Sequence, residues 1–232
     1  MGSIGSNLQE VKRRIDAACA ASGRNANTVT LLAVSKTFDG AAVREAHAAG
    51  QRAFGENYVQ EALAKIDGLA DLRASLEWHL IGPLQSNKTR PVAEAFDWVH
   101  TIDRLKLAER LAAQRPPGLP PLQLCLQVNI SGEASKAGVL AEGLPALAAA
   151  VAVLPRLRLR GLMAIPEPTE DMAQSRARFR ELRGRLEELN ARGAALDTLS
   201  MGMSDDLEAA IAEGATLVRV GRAIFGSRPP AT

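Results

Sequence analysis

Lys36 closes an apolar run, Leu31-Leu32-Ala33-Val34-Ser35-Lys36. The run reads as a buried strand that ends on an amine. An ammonium held at the mouth of an apolar scaffold is disfavoured by desolvation, and the neutral amine that replaces it is a nucleophile. Such an amine forms Schiff bases with aldehydes and ketones. Taken alone, a strand-end lysine is more often one that only reaches solvent. The far end of the chain shifts that balance. Ser200-Met201-Gly202-Met203-Ser204-Asp205-Asp206 and Val218-Arg219-Val220-Gly221-Arg222 are each a short apolar strand running into a turn with glycine and a donor. Ser204 is expected to cap the helix that follows, with Asp205 and Asp206 in its first turn. Gly221 lets backbone N–H groups approach a ligand closely. Two such strand ends, a serine hydroxyl and an arginine make a phosphate cradle. A reactive amine on the first strand and a phosphate cradle on the last two match pyridoxal 5′-phosphate, which has an aldehyde and a phosphate.

Elements must bring these residues together. Ile4 to Ser22 reads as an amphipathic helix, with Ile4, Leu8, Val11, Ile15 and Ala18 at spacings of three and four, ended by Gly23. Strand candidates follow at Thr30–Lys36, Ala53–Asn57, Trp78–Gly82, Trp98–Ile102, Leu122–Ile130, Leu159–Ile165, Thr198–Met203 and Leu217–Val220. Helical stretches separate them. Ala41–Ala49 ends at Gly50, Asp103 is expected to cap a helix running to Gln114, and Met172–Ala191 ends near Gly193. Eight apolar strands alternating with helices predict an α/β fold: a single (β/α)8 TIM-type barrel with an extra N-terminal helix, one domain over residues 1–232. A doubly wound sheet would carry a glycine-rich turn after its first strand. Here that turn reads Ser35-Lys36-Thr37-Phe38-Asp39. In a barrel, function sits at the carboxyl ends of the strands, where Lys36, Asn57, Gly82, Ser204 and Gly221 all fall.

The 232 residues carry a net charge of +2, which argues against a nucleic-acid or membrane partner. Cys19 and Cys125 show neither CxxC nor Cys/His spacing, so no metal is expected and the compartment is expected to be reducing. The opening residues do not read as a secretory signal, and the expected location is the cytoplasm. Arg156, Arg158 and Arg160 alternate with leucines as a lead-in to a strand. The stretch from Arg176 to Arg192 mixes signs at helical spacing, as a solvated face does.

Several blocks resemble a known family. Val34-Ser35-Lys36-Thr37, the run from Phe54 to Glu61 (FGENYVQE), the run from Trp78 to Lys88 (WHLIGPLQSNK), Gly161-Leu162-Met163, the run from Met201 to Asp206 (MGMSDD) and Val218–Gly221 with Ile224-Phe225-Gly226 are similar to the YggS/PROSC family of pyridoxal phosphate homeostasis proteins. The blocks occur in order over nearly the whole chain. The resemblance implies a barrel of the alanine racemase N-terminal type that holds pyridoxal phosphate covalently on Lys36. It implies that Ser204 and the backbone around Gly221 and Arg222 hold the phosphate, with Ser200 and Gly202 close by. Arg219 would face either the pyridine nitrogen or the phosphate. Asn57, His79 and Met163 would line the pocket, although His79 on its strand reads equally well as a satisfied core histidine. Lys136, in the loop after the fifth strand, matches a second family lysine that could take up the aldehyde during transfer.

One departure from the racemases bears on mechanism. Their second domain supplies a catalytic tyrosine, whereas this sequence ends at Thr232 and contains one tyrosine, Tyr58. Racemisation needs acid/base groups on opposite faces of the substrate carbon. The expectation is therefore a monomeric, non-catalytic carrier that stores pyridoxal phosphate and delivers it to apo-enzymes. A weakly active racemase-like enzyme and a Schiff-base aldolase without cofactor are the competing readings.

Overall fold

The computed structural model describes residues 2–131 and 137–227. Eight parallel strands close into a barrel in sequence order. They are β1 (Thr30–Val34), β2 (Ala53–Glu56), β3 (Glu77–Leu80), β4 (Trp98–Ile102), β5 (Leu122–Gln127), β6 (Leu157–Met163), β7 (Thr198–Ser200) and β8 (Leu217–Val220). Closure is the pairing of β1 with β8, where Ala33 lies opposite Val220. The helices are α1 (Ile4–Ala21), α2 (Gly40–Ala48), α3 (Val59–Gly68), α4 (Thr89–Ala95), α5 (Leu105–Gln114), α6 (Leu144–Ala152), α7 (Met172–Ala191), α8 (Leu207–Ala212) and α9 (Arg222–Phe225). The expected barrel with an added N-terminal helix is the observed one.

Strand periodicity divides the apolar side chains into two populations. Leu31, Ala33, Phe54, Trp78, Leu80, Val99 and Leu124 join the large cluster formed with the helices. Leu32 and Val34 instead cluster with Ala53, Ile81 and Leu217, while Trp98, Cys125 and Met163 form a third group. These two smaller groups fill the barrel interior. Each fully buried Leu or Phe contributes on the order of 1.5–3 kcal/mol relative to exposure. The shell between strands and helices therefore carries most of the stability, and the interior can hold polar groups.

α1 buries Leu8, Val11, Ile15 and Ala18, as its spacing predicts. It packs across α8 and α9. Arg14 donates from NH2 to the Ser204 carbonyl at 3.0 Å and from Nε to Glu208 at 2.9 Å. Asn7 donates to the Ile224 carbonyl at 2.9 Å.

Several boundaries correct the sequence reading: β2, β3 and β5 end at Glu56, Leu80 and Gln127, short of the expected Asn57, Gly82 and Ile130. β1 stops at Val34, because Thr37, three residues further on, takes φ +68 and turns the chain out of the strand direction. β7 stops at Ser200, because Gly202 takes φ +92. β6 spans Leu157–Met163, so Arg158 and Arg160 belong to the strand itself. Two expected caps also differ. The residue preceding α5 is Arg104, and the Asp103 carboxylate accepts from the Arg104 guanidinium instead of capping the helix. α8 begins after Asp206, so Ser204 is not its N-cap. The Asp206 carboxylate instead accepts from the Met203 N–H at 2.6 Å, which fixes the turn containing Ser204.

Candidate functional site

The register of β1 places the candidate site. Val34 is opposite Gly55, and Lys36 and Asn57 follow the carboxyl ends of β1 and β2, just beyond the last paired residues. Gly221 follows Val220 at the same end of β8, level with Val34. A Cβ on Gly221 would stand 3.2 Å from the Val34 carbonyl oxygen, closer than a side chain tolerates without a shift. A Cβ on Gly82 would stand 2.1 Å from the Asn57 carbonyl oxygen, so that glycine is what lets Asn57 approach β3. Met163 is opposite Ser200 and fully buried in the interior. Lys36 is half-buried. The side-chain oxygens of Asn57 and of Thr37, next to Lys36, are buried without a hydrogen-bond partner. Ser204 and Gly221 are half-buried and Arg222 is exposed at the start of α9. The N–H groups that open a helix have no partner within it, which suits the backbone at Gly221 and Arg222 to an anion. Lys136 lies outside the described residues.

Arg219 is deeper, opposite Leu32 on the interior row of β8. The residue is 4% exposed, and its guanidinium donates to the Ser200 hydroxyl at 2.8 Å and to the Ala164 carbonyl at 2.9 Å. Neither acceptor is a carboxylate. Burial pushes its pKa down to about 10, with Asp206 acting in the opposite sense. A buried cation on neutral acceptors favours an anionic ligand nearby, because burying an unpaired charge is costly.

Ser200 is the junction of a polar chain that crosses the barrel. Its Oγ is 2.8 Å from His100 Nδ1, His100 Nε2 is 2.9 Å from His79 Nδ1, and His79 Nε2 is 2.7 Å from the Glu77 carboxylate. His79, His100 and Ser200 are fully buried, while Glu77 reaches the amino-terminal rim. With both imidazoles neutral, every direction in the chain is determined. Glu77 can only accept, so His79 donates from Nε2 and accepts at Nδ1. His100 then donates from Nε2 and accepts at Nδ1 from the Ser200 hydroxyl, which accepts from Arg219. Hydrogen bonding from His79 holds the Glu77 carboxyl below its usual range against the opposing effect of burial. Burial, reinforced by His79 and Arg219, drives His100 well below the ordinary imidazole value. The Trp98 ring stacks on His79 at 5.2 Å between centroids, and the Arg160 guanidinium covers Trp98 at 5.0 Å. His79 thus has both ring nitrogens engaged inside the barrel, the arrangement of a satisfied core histidine, and it supports the layer beneath the mouth. His100 and Glu77 are members of this chain that the sequence reading did not single out. The visible signal was that His100 shares the interior parity of Trp98.

Met201 is fully buried against the helices, and Met203 is half-buried in the turn. Cys19 and Cys125 are free and buried, and burial raises the Cys125 thiol to about 12. Among the described residues no cluster of His, Cys, Asp and Glu suits a metal ion.

The mouth therefore offers an amine, a glycine-lined approach and buried donors, which together can bind an anionic aldehyde. The residues fit pyridoxal phosphate: the Thr37 and Asn57 side-chain oxygens at the carboxyl ends of β1 and β2 are buried without a partner, and the Arg219 cation beneath them rests on neutral acceptors.

Comparison with known proteins agrees with this geometry. Residues 6–229 match the family described as alanine racemase, N-terminal domain. The chain is 65% identical over 228 residues to the pyridoxal phosphate homeostasis protein of Pseudomonas aeruginosa, covering 98% of this chain and 97% of that protein. It superimposes on PipY of Synechococcus elongatus PCC7942, solved with PLP bound, with a TM-score of 0.84 and 41% identity, covering 97% of this chain and all of that one (100%). An alanine racemase from Corynebacterium glutamicum shares the fold at a TM-score of 0.67 and 17% identity, with 97% of this chain covering 62% of that one. On its sequence and its barrel alike, the chain belongs to the family of pyridoxal phosphate homeostasis proteins.

Proposed function

We propose that this protein binds pyridoxal 5′-phosphate as a Schiff base on Lys36, and that it stores the cofactor and supplies it to apo-enzymes. The observation that carries the reading is the buried Arg219 cation, held only by neutral acceptors, in a barrel where Lys36 follows the carboxyl end of β1. In forming the linkage the Lys36 amine adds to the aldehyde carbon, the carbonyl oxygen leaves as water, and a C=N bond remains. Ser204 and the backbone at Gly202, Gly221 and Arg222 hold the phosphate. Asn57 and Met163 line the ring, and Ser200 orients Arg219. A solved relative carries the same cofactor, and a 65% identical relative is named for its homeostasis.

The carrier reading is supported by the fate of the acid/base candidates. The two barrel imidazoles are engaged with each other, and the chain's one tyrosine, Tyr58, is 55% exposed. Release by exchange with a second amine is assigned to Lys136. Two free, buried cysteines suit a reducing cytoplasm, and no helix among the described residues is long and apolar enough to cross a membrane. The protein acts as a monomer.

The test is an absorption spectrum of purified protein with pyridoxal phosphate, before and after borohydride, followed by peptide mapping. The added mass belongs on the Lys36 peptide, and Lys36→Ala should lose the imine band. A label found mainly on Lys88 or Lys136 overturns the assignment. Amino-acid racemisation at about 1 s⁻¹ or faster would replace the carrier by the racemase reading.

A further inference from the structure

The residues on either side of Lys36 are pinned by a buried ionic cluster that contributes nothing to the mouth itself. Lys65, on α3, has a side chain 6% exposed and directs its three N–H donors to three oxygens, each at 2.7 Å. These are the Ser35 carbonyl, Glu56 Oε1 and Glu61 Oε1. The Ser35 hydroxyl donates to the same Glu56 oxygen at 2.6 Å, and the Ser35 N–H donates to the Gly55 carbonyl at 3.0 Å. On the other side, the Thr37 N–H donates to Glu61 Oε1 at 2.6 Å. Thr37 sits at φ +68, a conformation that a β-branched residue adopts only under constraint. Burial raises the Glu56 carboxyl above its usual range despite Lys65, so the cluster is retained against a desolvation cost.

We propose that Lys65, Glu56 and Glu61 are positioning residues for Lys36: they hold the Ser35–Thr37 backbone so that the amine is presented at the imine-forming angle. This rests on the reading of Lys36 as the Schiff-base lysine. The argument is geometric. β1 ends at Val34, so the direction of the backbone through Lys36 is set by what holds Ser35 and Thr37 on either side of it. Pinning Ser35 at its N–H, its carbonyl and its hydroxyl, and Thr37 at its N–H, fixes that direction. Imine formation depends on holding amine and aldehyde in register, which is where pre-organisation acts.

The test compares Glu61→Ala with Glu61→Gln in the full chain. The glutamine keeps a carbonyl oxygen for the Thr37 N–H, whereas the alanine removes it. Pyridoxal, which lacks the phosphate, serves as the probe, so that only the imine end is read. Glu61→Ala should weaken the imine equilibrium with pyridoxal by roughly tenfold or more, the scale of one hydrogen bond to a charged group. It should also raise hydrogen exchange at the Thr37 amide, and Glu61→Gln should recover most of both. A paired variant, Lys65→Met with Glu56→Gln, keeps the buried volume and leaves no fully buried carboxylate unpaired, the Glu61 carboxylate being partly open to solvent, and should reproduce the loss of imine. Equal imine formation in wild type, Glu61→Ala and Glu61→Gln, or a Thr37 amide whose exchange does not respond to Glu61→Ala, overturns the positioning role. Borohydride labelling of wild type at a lysine other than Lys36 overturns the reading beneath it, whatever the exchange data show.

Discussion

Ser200→Ala isolates the junction between the Arg219 guanidinium and the imidazole pair. The substitution deletes one oxygen and leaves the strand and its register with β6 and β8 in place. It removes the 2.8 Å acceptor of Arg219 and the 2.8 Å donor to His100 Nδ1, both with no access to water. A hydrogen bond to a charged group is worth about 1.5–3 kcal/mol and a neutral one about 1 kcal/mol, and the stranded imidazole nitrogen adds to the cost. The expected loss is about 3 kcal/mol, a large share of the roughly 5–15 kcal/mol that stabilises a domain. For a chain of this length that corresponds to a Tm drop of about 6–12 °C. Urea unfolding of ligand-free protein measures the first quantity and calorimetry the second. A double-mutant cycle with His100→Asn should return a coupling of about 1 kcal/mol or more, because the two groups are in direct contact. Pyridoxal phosphate should also bind on the order of tenfold more weakly, since Arg219 loses one of its two anchors. A stability loss below about 0.5 kcal/mol, the scale of an ordinary surface substitution, would refute the idea that Ser200 organises the barrel floor.

Other consequences are open to direct measurement. Burial keeps His100 from protonating in the folded chain, whereas in the unfolded chain it titrates near 6.5, so its contribution to stability is complete above that pH. That contribution is lost as the pH falls below 6.5, at up to about 1.4 kcal/mol per pH unit, and the stability profile of His100→Asn should be flatter across this window. His100 should carry its proton on Nε2 at neutral pH, and nitrogen-15 spectra showing Nδ1–H on His100 would reverse the direction assigned to the chain. Gly82→Ala forces its Cβ against the Asn57 backbone and should cost about 1–3 kcal/mol together with a loss of ligand affinity, read by denaturation and titration. Ser204→Ala should weaken pyridoxal phosphate roughly ten- to a hundredfold while leaving pyridoxal unchanged; equal effects on both ligands would remove Ser204 from the phosphate cradle.

The alternation of apolar strands with capped helices made the barrel legible, because both periodicities are local. Lys36 was legible for the same reason: it terminates an apolar run. The exact strand end was not, since Thr37's turn is set by Glu61, 24 residues away. Ser204 looked like a cap because its side chain is a good acceptor. Asp206 instead reached back to Met203, and nothing in the local sequence separates the two outcomes. His79 was visible in its motif, but its role depends on His100 and hence on Ser200, which is 100 residues from His100. Contacts of that range follow from closure of the barrel, and a one-dimensional pattern does not record them.

The brace that α1 makes has a consequence for how the site comes into being. Arg14 reaches the Ser204 carbonyl and Glu208, and Asn7 reaches Ile224, so some of the earliest residues made hold loops built from some of the latest. The β1–β8 ladder spans a similar separation. During synthesis, at about 5–20 residues per second, Lys36 emerges many seconds before Ser204 and Gly221 exist. A nascent chain therefore carries the amine long before the proposed phosphate cradle, and free aldehyde meeting it in that interval would find no means of discrimination. On the proposed assignment of Lys36 and the phosphate cradle, selective loading would wait for ring closure, and cofactor capture would report that the whole barrel has been assembled.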